Sequence, residues 1–295
     1  MAAQAIKVFE YNTHLYGDTI DFLKGILAYQ DKLRARDICR RLLTCGADIV
    51  GLCELWDPIL ALNYPDGVAY SVREVYPYFY YPQTRIVLPK VLGSGLLLLS
   101  KWPLSNMSFV GYKKLAGLDA LSTKGMACAT VQPPQGNAFN VFLTHTQADT
   151  YETERQDNIS QLAQWIQQHQ ASSNAPVFSF GDFNVIGEET NGVPSAEYKA
   201  TMAKLSPCGL SDSCRIVYPD AGRHHEYTYD GLTNTLIPIF APGDKNAQQR
   251  LDYLFSGVGF KPTSYATVLD YKFVVDGKTM DLSDHYPCQG GFELS

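Results

Sequence analysis

Residues 176–184 have the sequence Pro-Val-Phe-Ser-Phe-Gly-Asp-Phe-Asn, an apolar run that leads into a carboxylate and an amide. The first five residues predict a buried strand, with Asp182 and Asn184 shortly after its end. The first half of the chain has the same arrangement, because the apolar run Asp48–Cys53 ends at Glu54. Ligand sites in α/β proteins lie beyond the carboxyl ends of strands, so these polar residues are candidate functional residues.

An earlier strand precedes each of these runs. Ile6–Tyr11 alternates as a strand does and ends at Asn12, and a helical pattern follows from about Asp31 to Cys45. Ala138–Leu143 is a predicted strand that leads in the same way into His145. The two halves of the chain therefore share one organisation.

Further signals complete the secondary structure. Asp149 and Glu152 resemble a capping box that begins a helix ending near Gln170. Strands are also predicted at Gly95–Ser100, Met126–Val131, Arg250–Phe255 and Tyr265–Val275. Asp276-Gly277 is a two-residue hairpin signal. Strands that alternate with helices predict an α/β or α+β fold, as a single domain over residues 1–295.

The composition excludes several classes of protein. Hydrophobic residues are 45% and charged residues 18% of the 295 residues, which excludes a disordered, fibrous or coiled-coil chain. Apolar runs such as Gly95–Leu99 are far shorter than the ~20 residues that span a bilayer. Residues 1–7 lack the basic and apolar regions of a signal peptide. We expect no transmembrane segment, and a soluble protein that is cytoplasmic as written or secreted if this chain is a trimmed mature form.

The net charge indicates what kind of molecule the protein binds, and the cysteines indicate whether it works in an oxidising compartment. The net charge is −6, from 24 Lys and Arg against 30 Asp and Glu, which argues against nucleic acid as the partner. Four arginines of the first predicted helix are expected to form a solvated face: Arg34, Arg36, Arg40 and Arg41. The seven cysteines form no CxxC pair, and whether Cys208 and Cys214 form a disulfide is left open.

Six positions carry residues suited to metal or phosphate chemistry. They are Asn12, Glu54, His145, Asp182 with Asn184, Asp252 in Leu-Asp-Tyr, and Asp284-His285 before Tyr-Pro. Each alone is compatible with an ordinary turn or loop, but all six in this order predict one shared site. Carboxylate and amide oxygens suit Mg²⁺ better than zinc, and no closed Cys/His set competes for a softer metal. We expect Mg²⁺ as the cofactor, with Mn²⁺ or Co²⁺ as substitutes.

Six short stretches carry a resemblance to a known superfamily. They are Tyr-Asn-Thr at 11–13, Cys-Glu-Leu-Trp at 53–56, Thr-His-Thr-Gln-Ala-Asp at 144–149, Gly-Asp-Phe-Asn-Val at 181–185, Leu-Asp-Tyr at 251–253 and Ser-Asp-His-Tyr-Pro at 283–287. The series resembles the endonuclease/exonuclease/phosphatase (DNase I-like) superfamily, over about Ile6 to Phe292. This resemblance implies a four-layer α/β sandwich, in which two stacked mixed β-sheets are flanked by helices.

Three further stretches resemble Mg²⁺-dependent neutral sphingomyelinases of the bacterial sphingomyelinase C type. They are Gly-Ser-Gly at 93–95 followed by Ser-Lys-Trp-Pro-Leu at 100–104, Asp119 with Lys124 five residues later, and Tyr-Thr-Tyr-Asp at 227–230 followed by Thr233-Asn234. The resemblance implies a metal-dependent phosphodiesterase that hydrolyses sphingomyelin to ceramide and phosphocholine. Its partner would be a phospholipid at a membrane surface, reached by peripheral contact only.

The resemblance also implies roles for the candidate residues. Glu54 would be a metal ligand with Asn12 close by, and Asp284 would lie beside the metal or hold its waters. His285 is the candidate general base, because histidine titrates near neutral pH, and Asp252 would orient it.

Three residues of the second half would act at the phosphate. Asp182 and Asn184 would position the attacking water and contact phosphate oxygens, and His145 would donate a hydrogen bond to the charged transition state. Asp182 is also the rival general base, and the sequence does not decide between it and His285.

Each candidate substrate-binding residue has a structural alternative. Lys124 would brace the phosphate or fix a loop through Asp119, or it is an ordinary surface lysine. Tyr78 and Tyr80 would contact the membrane interface or form a wall of a choline pocket, or they belong to a buried sheet edge. Trp56 would line the mouth of the site or simply pack.

Three other functions are alternatives. An endonuclease of the DNase or abasic-site type would use the same chemistry with a basic rim, which the acidic balance argues against. An inositol-polyphosphate phosphatase normally has a Trp before its Gly-Asp element, where this chain has Phe178-Ser179-Phe180. A non-catalytic relic would have lost a site residue, whereas all are present. Where secreted sphingomyelinases insert an aromatic-rich hairpin, residues 271–278 carry few aromatics, so strong membrane insertion is not expected.

Overall fold

The computed structural model describes residues 4–17, 28–62, 67–84, 88–189, 192–220 and 226–295. The strands are β1 (Gln4–Leu15), β2 (Ile49–Leu55), β3 (Tyr78–Tyr80), β4 (Leu97–Ser100), β5 (Leu104–Gly111), β6 (Gly125–Val131), β7 (Phe139–His145), β8 (Val177–Asp182), β9 (Ser211–Asp212), β10 (Tyr229–Asp230), β11 (Gln248–Gln249), β12 (Asp252–Ser256), β13 (Phe260–Thr267), β14 (Lys272–Val275), β15 (Lys278–Asp281) and β16 (Cys288–Leu294). The helices are α1 (Asp31–Thr44), α2 (Pro58–Leu62), α3 (Val68–Ser71), α4 (Glu152–Ser172), α5 (Ala196–Leu205), α6 (Ser213–Val217) and α7 (Ile237–Phe240).

Most strands belong to two six-stranded mixed sheets. The first sheet has the order β13-β16-β1-β2-β4-β3, and the second has the order β5-β6-β7-β8-β12-β9. Each sheet contains one parallel pair, β1 with β2 and β7 with β8, between antiparallel neighbours. A parallel pair needs a crossover connection, which contains α1 in the first sheet and α4 in the second. The similarity of the two halves is therefore a repeated βαβ unit.

The buried apolar side chains separate into layers. One cluster fills the space between the two sheets and includes Ile6, Ile49, Leu143, Phe180 and Phe292. A second cluster joins the outer face of the first sheet to α1, through residues such as Phe9, Ile38 and Leu42. A third joins the outer face of the second sheet to α4, through residues such as Phe142, Ile159 and Leu162. This arrangement confirms the predicted four-layer sandwich.

The two sheets pack closely where β2 faces β7 and β8, below the strand ends that carry Glu54 and Asp182. A Cβ atom added to Gly51 would lie 2.3 Å from a ring carbon of Phe180 and 2.6 Å from a methyl of Leu143. Only glycine allows this spacing, and it brings the ends of strands from different sheets within reach of one another.

Several predicted elements need correction. β1 does not end at Asn12 but continues to Leu15, with an irregular register to β2 between these two residues. The capping box is wrong, because α4 begins after Tyr151 with no side-chain cap. Asp149 has a left-handed backbone (φ 61°), which places it outside the helix, and its carbonyl oxygen accepts a hydrogen bond from Arg155.

The predicted strand Tyr265–Val275 is two strands, β13 and β14, because residues 268–271 leave the sheet. The hairpin signal that follows is confirmed. Asp276 and Gly277 have φ values of 50° and 73°, the left-handed pair that a type I′ turn requires, and they join β14 to β15.

The solvated arginine face is wrong for Arg34. Its side chain is fully buried and donates hydrogen bonds to the carbonyl oxygens of Thr13, His14 and Leu282, and to the carboxylate of Asp31. Arg36 and Arg40 on the same helix are exposed and pair with Asp37, and Arg41 is partly exposed. One arginine thus ties the end of β1 to the segment before Asp284.

All seven cysteines are free thiols, so Cys208 and Cys214 form no disulfide here.

Within the described ranges, no helix combines the length and the apolar character that a membrane span needs.

Candidate metal and catalytic site

The strand ends of the two sheets meet at one edge of the sandwich. In the parallel pairs, Asn12 lies opposite Cys53, the residue before Glu54, and His145 lies opposite Asp182. β12 runs antiparallel to β8 and begins at the same edge, because Asp252 is also opposite Asp182. Residues separated by up to 240 positions in sequence therefore converge, as the strand-end pattern predicts.

Three side chains at this edge are presented from a left-handed backbone. The φ values are 47° for His14, 55° for Glu54 and 51° for Asn184. Such conformations are costly for residues with a side chain, and they are concentrated at binding and catalytic sites. The backbone therefore singles out the same edge as the polar residues do.

Glu54, His145 and Asp182 form the first cluster of this site. His145 Nε2 lies 3.4 Å from Asp182 Oδ2 and 3.7 Å from Glu54 Oε1. Asn12 Nδ2 donates to both carboxylates, at 3.0 Å to Glu54 and 2.9 Å to Asp182. One ligand atom from each of the three clustered residues lies within 4.8 Å of the others.

The electrostatics of this cluster fit a divalent cation. Burial, followed by the neighbouring carboxylate of Asp252, raises the pKa of Asp182 to about 7. Burial also lowers the pKa of His145 well below its usual value, and Lys124 and His285 add to this. Neither ring nitrogen of His145 has a hydrogen-bond partner among the described residues. A buried carboxyl with a raised pKa, beside Glu54 and an unpartnered neutral imidazole, belongs to a donor set that a metal ion would satisfy.

Asp252 and His285 form the second cluster, together with Asp182. His285 Nδ1 lies 2.8 Å from Asp252 Oδ2, and both side chains are buried. Burial alone would lower the pKa of His285, but Asp252 outweighs it and the net pKa is raised well above the usual value. A carboxylate on Nδ1 fixes the tautomer and leaves Nε2 for the proton that is transferred.

The sequence pattern of the Endonuclease/Exonuclease/phosphatase family matches residues 24–285. The chain belongs to this family. The family match and the curated relative below support hydrolysis as the reaction.

Three individual proteins of known identity are similar to this chain over nearly its whole length. Sphingomyelinase C of Listeria ivanovii is 28% identical over 317 residues, which cover 96% of this chain and 85% of the relative. The crystal structure of sphingomyelinase C from Streptomyces griseocarneus has a TM-score of 0.72 at 23% identity and covers 98% of this chain and 99% of that one. A beta toxin mutant from Staphylococcus aureus, solved with bound magnesium ions, has a TM-score of 0.72 at 18% identity, with 97% and 99% coverage. The likeness to the two solved structures shows the shared fold.

The other predicted site residues of this family member lie around the two clusters. The backbone N–H of Asn184 donates to Asp182 Oδ1 at 2.8 Å, and its side-chain amide donates to Thr146 O at 3.3 Å. Asp284 is 7% exposed; its own burial would raise its pKa, but His14 outweighs this and the pKa is lowered.

His14 is a site residue that the sequence analysis did not single out. Its Nδ1 lies 3.2 Å from Asp284 Oδ2 and 3.6 Å from Glu54 Oε2, so it links these two carboxylates. Its ring stacks on Phe240 at 4.0 Å between centroids. Its position two residues after Asn12 was an available signal, but its partners come from distant segments.

Glu10 was also missed, although it lies below both clusters. Its side chain is fully buried, and burial followed by Asp252 and Asp182 raises its pKa well above the usual value. The position belongs to an alternating strand, where a carboxylate is expected to face solvent, so this burial could not be predicted from the strand pattern.

Lys124 is not a surface residue, because it is 1% exposed. Its Nζ lies 2.8 Å from Asp119 Oδ1 and donates to Thr146 O at 3.2 Å. Asp119 Oδ2 accepts from the N–H of Ala148 at 2.7 Å. The pair therefore joins the turn at residues 117–121 to the segment that follows His145.

The predicted aromatic residues have three different environments. Trp56 is 2% exposed, and its Nε1 donates to Glu54 Oε2 at 3.5 Å. Tyr80 packs against the core between the sheets. Tyr78 is 40% exposed on the edge strand β3, so the buried-edge alternative does not hold for it.

Proposed function

We propose that this chain is a metal-dependent phosphodiesterase that hydrolyses sphingomyelin to ceramide and phosphocholine. The observation that carries the chemistry is the buried His285–Asp252 pair at 2.8 Å, placed beside a cluster of carboxylates and a neutral imidazole. This combination offers a base for water and ligands for a cation, which are the two requirements of phosphodiester hydrolysis.

The carboxylates of Glu54 and Asp182 are the groups that would hold Mg²⁺, with Asn12 bonded to both. A bound divalent cation supplies neutralisation of the phosphate charge and stabilisation of the leaving oxygen. Asp284 belongs to neither cluster and lies 3.2 Å from His14, so its proposed role is to hold waters of the metal rather than to ligate it directly. The magnesium ions in the related beta toxin mutant support this choice of metal.

His285 is the proposed general base. With Nδ1–H donated to Asp252, Nε2 accepts a proton from the attacking water. The leaving oxygen is on the opposite side of the phosphorus and would take its proton from solvent. Only the neutral imidazole can accept that proton, and its pKa is raised by Asp252. The rate is therefore expected to rise with pH as His285 loses its proton.

The remaining side chains act on the phosphate. His145 is neutral and has unpartnered ring nitrogens, so it can donate one hydrogen bond to an oxygen that gains charge in the transition state. Asn184 lies beside Asp182, to which its backbone N–H donates, and its proposed role is contact with a phosphate oxygen. Asp182 is proposed as a ligand and orienting group rather than as the base.

The sphingomyelinase relatives support the choice of substrate. The curated sphingomyelinase C matches over 96% of this chain, so the likeness includes the segments around the site as well as the strands. A sphingomyelin molecule lies in a bilayer, so hydrolysis requires contact between the rim of the site and the membrane surface. We propose peripheral contact of this kind.

The test is phosphocholine release from sphingomyelin vesicles with Mg²⁺ or with EDTA, with phosphatidylcholine vesicles and supercoiled DNA in parallel. Mg²⁺-dependent release from sphingomyelin alone is expected. Nicking of DNA without lipid turnover would keep the metal chemistry and overturn the substrate. The absence of turnover of all three substrates would overturn the proposal as a whole.

A further inference from the structure

A cavity of about 240 Å³ lies beside the proposed metal site. It is lined by Trp56, Pro58, Leu62, Tyr81, Pro82, Gln83, Thr84, Val91 and Gly93. None of these residues carries a charge, and two of them have large aromatic rings. The Gly-Ser-Gly stretch at 93–95, which the catalytic chemistry does not use, forms part of its wall.

The aromatic rings of the cavity are held in place. Tyr81 is 8% exposed, and its hydroxyl donates to Leu55 O at 3.4 Å. The ring of Trp56 lies against the backbone of Gly95, where an added Cβ would be 2.8 Å from a ring carbon. Gly95 also has a φ of 68°, so glycine is required there for both reasons. Rings that are fixed in this way present their faces without further ordering.

Trp56 is a wall shared by the cavity and the metal site. Its Nε1 lies 3.5 Å from Glu54 Oε2, and its ring centroid is 6.0 Å from that of His145. A group attached to a phosphate at Glu54 and His145 by a short linker would therefore reach this cavity. The carboxylate of Glu54 also makes the neighbourhood favourable for a positive charge.

The lining, which is uncharged and mostly apolar, favours a bulky cation over a small, strongly hydrated one. A primary ammonium group needs several hydrogen-bond acceptors, whereas most of the lining consists of aromatic faces, prolines and aliphatic groups, and side-chain oxygens come only from Tyr81, Gln83 and Thr84. The one buried side-chain hydroxyl in it without a described partner is that of Thr84. A quaternary ammonium group is the cation that aromatic faces recognise.

We propose that this cavity, between Trp56 and Tyr81, binds the quaternary ammonium group of a choline headgroup. The inference rests on the proposed function for the position of the phosphate and adds a source of headgroup specificity. In this arrangement the phosphate lies at Glu54 and His145, and the two-carbon linker of choline passes Trp56.

Gly93 allows the cavity to be filled without disturbing the metal site. An added Cβ would meet Thr84 Oγ1 at 3.4 Å and Tyr81 Oη at 4.0 Å, which is ordinary contact. Gly93→Leu therefore places a side chain in the cavity. Gly243→Leu is the matched control, because an added Cβ there meets nothing within 4 Å.

The experiment measures binding of phosphocholine, phosphoethanolamine and the uncharged isostere 3,3-dimethylbutyl phosphate by calorimetry in the presence of Mg²⁺. We expect the wild type to prefer phosphocholine over each of the other two by about tenfold. Gly93→Leu should abolish that preference, and Gly243→Leu should retain it. Tyr81→Leu should reduce the preference and Tyr81→Phe should keep it, which separates the role of the ring from a folding defect.

Equal binding of phosphocholine and phosphoethanolamine by the wild type would overturn the inference. So would equal binding of the uncharged isostere, because the cavity would then be an ordinary apolar pocket. A phosphocholine preference that Gly93→Leu leaves intact would place the ammonium group elsewhere and also overturn it. If sphingomyelin is not hydrolysed but the preference and its loss are observed, the proposed function fails and the cavity assignment is supported.

Discussion

Asp182→Asn is predicted to make the metal-free protein more stable while removing its activity. The carboxyl of Asp182 is 1% exposed, and burial followed by Asp252 raises its pKa from 3.8 to about 7. The folded protein thus holds this proton more tightly than the unfolded chain does. The carboxyl therefore costs stability progressively as the pH rises from 3.8 to about 7, and the full cost of about 4 kcal/mol is present above that range.

The substitution also loses one contact. Asn184 N–H can still donate to a side-chain oxygen at position 182, but the amide nitrogen of the new residue faces the Asn12 Nδ2 that now donates to Asp182. That loss costs about 1 kcal/mol. The net change in the free energy of unfolding caused by Asp182→Asn is therefore near zero at about pH 4.5, and it is an increase of about 3 kcal/mol at pH 8 in EDTA.

The assay is denaturant unfolding of wild type and variant at both pH values, in EDTA and in Mg²⁺. Mg²⁺ should stabilise the wild type and have little effect on the variant, because a ligand that binds only the folded state stabilises it. Asp212→Asn is the matched control, since Asp212 is equally buried but lies 2.9 Å from Arg250 Nη1, and it should destabilise the protein at pH 8. A variant at position 182 that is no more stable than wild type at pH 8 in EDTA would refute the reasoning.

Four further substitutions test a proposed metal ligand, the partner of His285, a structural ion pair and an exposed tyrosine. Glu54→Gln should weaken Mg²⁺ binding at least about tenfold in calorimetry with an unchanged unfolding curve, and unchanged affinity would show that Glu54 is not a ligand. Asp252→Asn should lower kcat/KM by about 10- to 200-fold, because the charge-assisted hydrogen bond to His285 is lost. When His285→Ala is already present, Asp252→Asn should cause no further loss of kcat/KM. If the two losses multiply instead, Asp252 does not act through His285. Glu188→Gln should lower the free energy of unfolding, measured with denaturant, by about 3 kcal/mol at pH 7. The difference between variant and wild type should shrink as the pH falls through the lowered pKa of Glu188. A difference that stays constant with pH would contradict a stabilising ion pair. Tyr78→Ala should leave the ratio of turnover on vesicles to turnover on a soluble short-chain analogue unchanged, because Tyr78 is opposite Ser100 and lies at the other end of β2 from Glu54. A selective loss on vesicles would show that the membrane contact extends to that end of the sheet.

The parts of the site that could be predicted from sequence are those set by local pattern. Glu54 and Asp182 each follow a short apolar strand, and the carboxyl ends of parallel strands share an edge, so their proximity follows from the strand pattern. The Asp276-Gly277 turn was predictable for the same reason, since the conformation depends on the two residues themselves.

The parts that could not be predicted depend on partners far away in the chain. Arg34 has the sequence context of a surface helix, yet it is buried because the carbonyl oxygens of Thr13, His14 and Leu282 point at it. His14 matters because Glu54 and Asp284 meet it from segments 40 and 270 residues away. No periodicity or spacing in one sequence encodes such contacts.

The environment of the buried charges indicates which cluster does chemistry and which holds the fold. Burial would raise the pKa of Glu188, but Arg250 and Arg215 outweigh it and the net pKa is lowered. Their guanidinium nitrogens lie 2.6 and 2.5 Å from its Oε1, so this group is fully compensated within the protein. A cluster of that kind stabilises one arrangement of the chain and has nothing left to bind.

Asp182 and Glu10 are buried to the same degree but have no arginine or lysine bonded to them in the described part of the chain. Their pKa values are raised by burial and by Asp252, which means that the folded protein carries an unmet demand for positive charge at this edge. Folding alone would not maintain such a cost, because neutral residues of the same size would be more stable. The cost is accounted for if the edge is completed by a cation and an anionic substrate, and this is why we assign this uncompensated cluster as the active one.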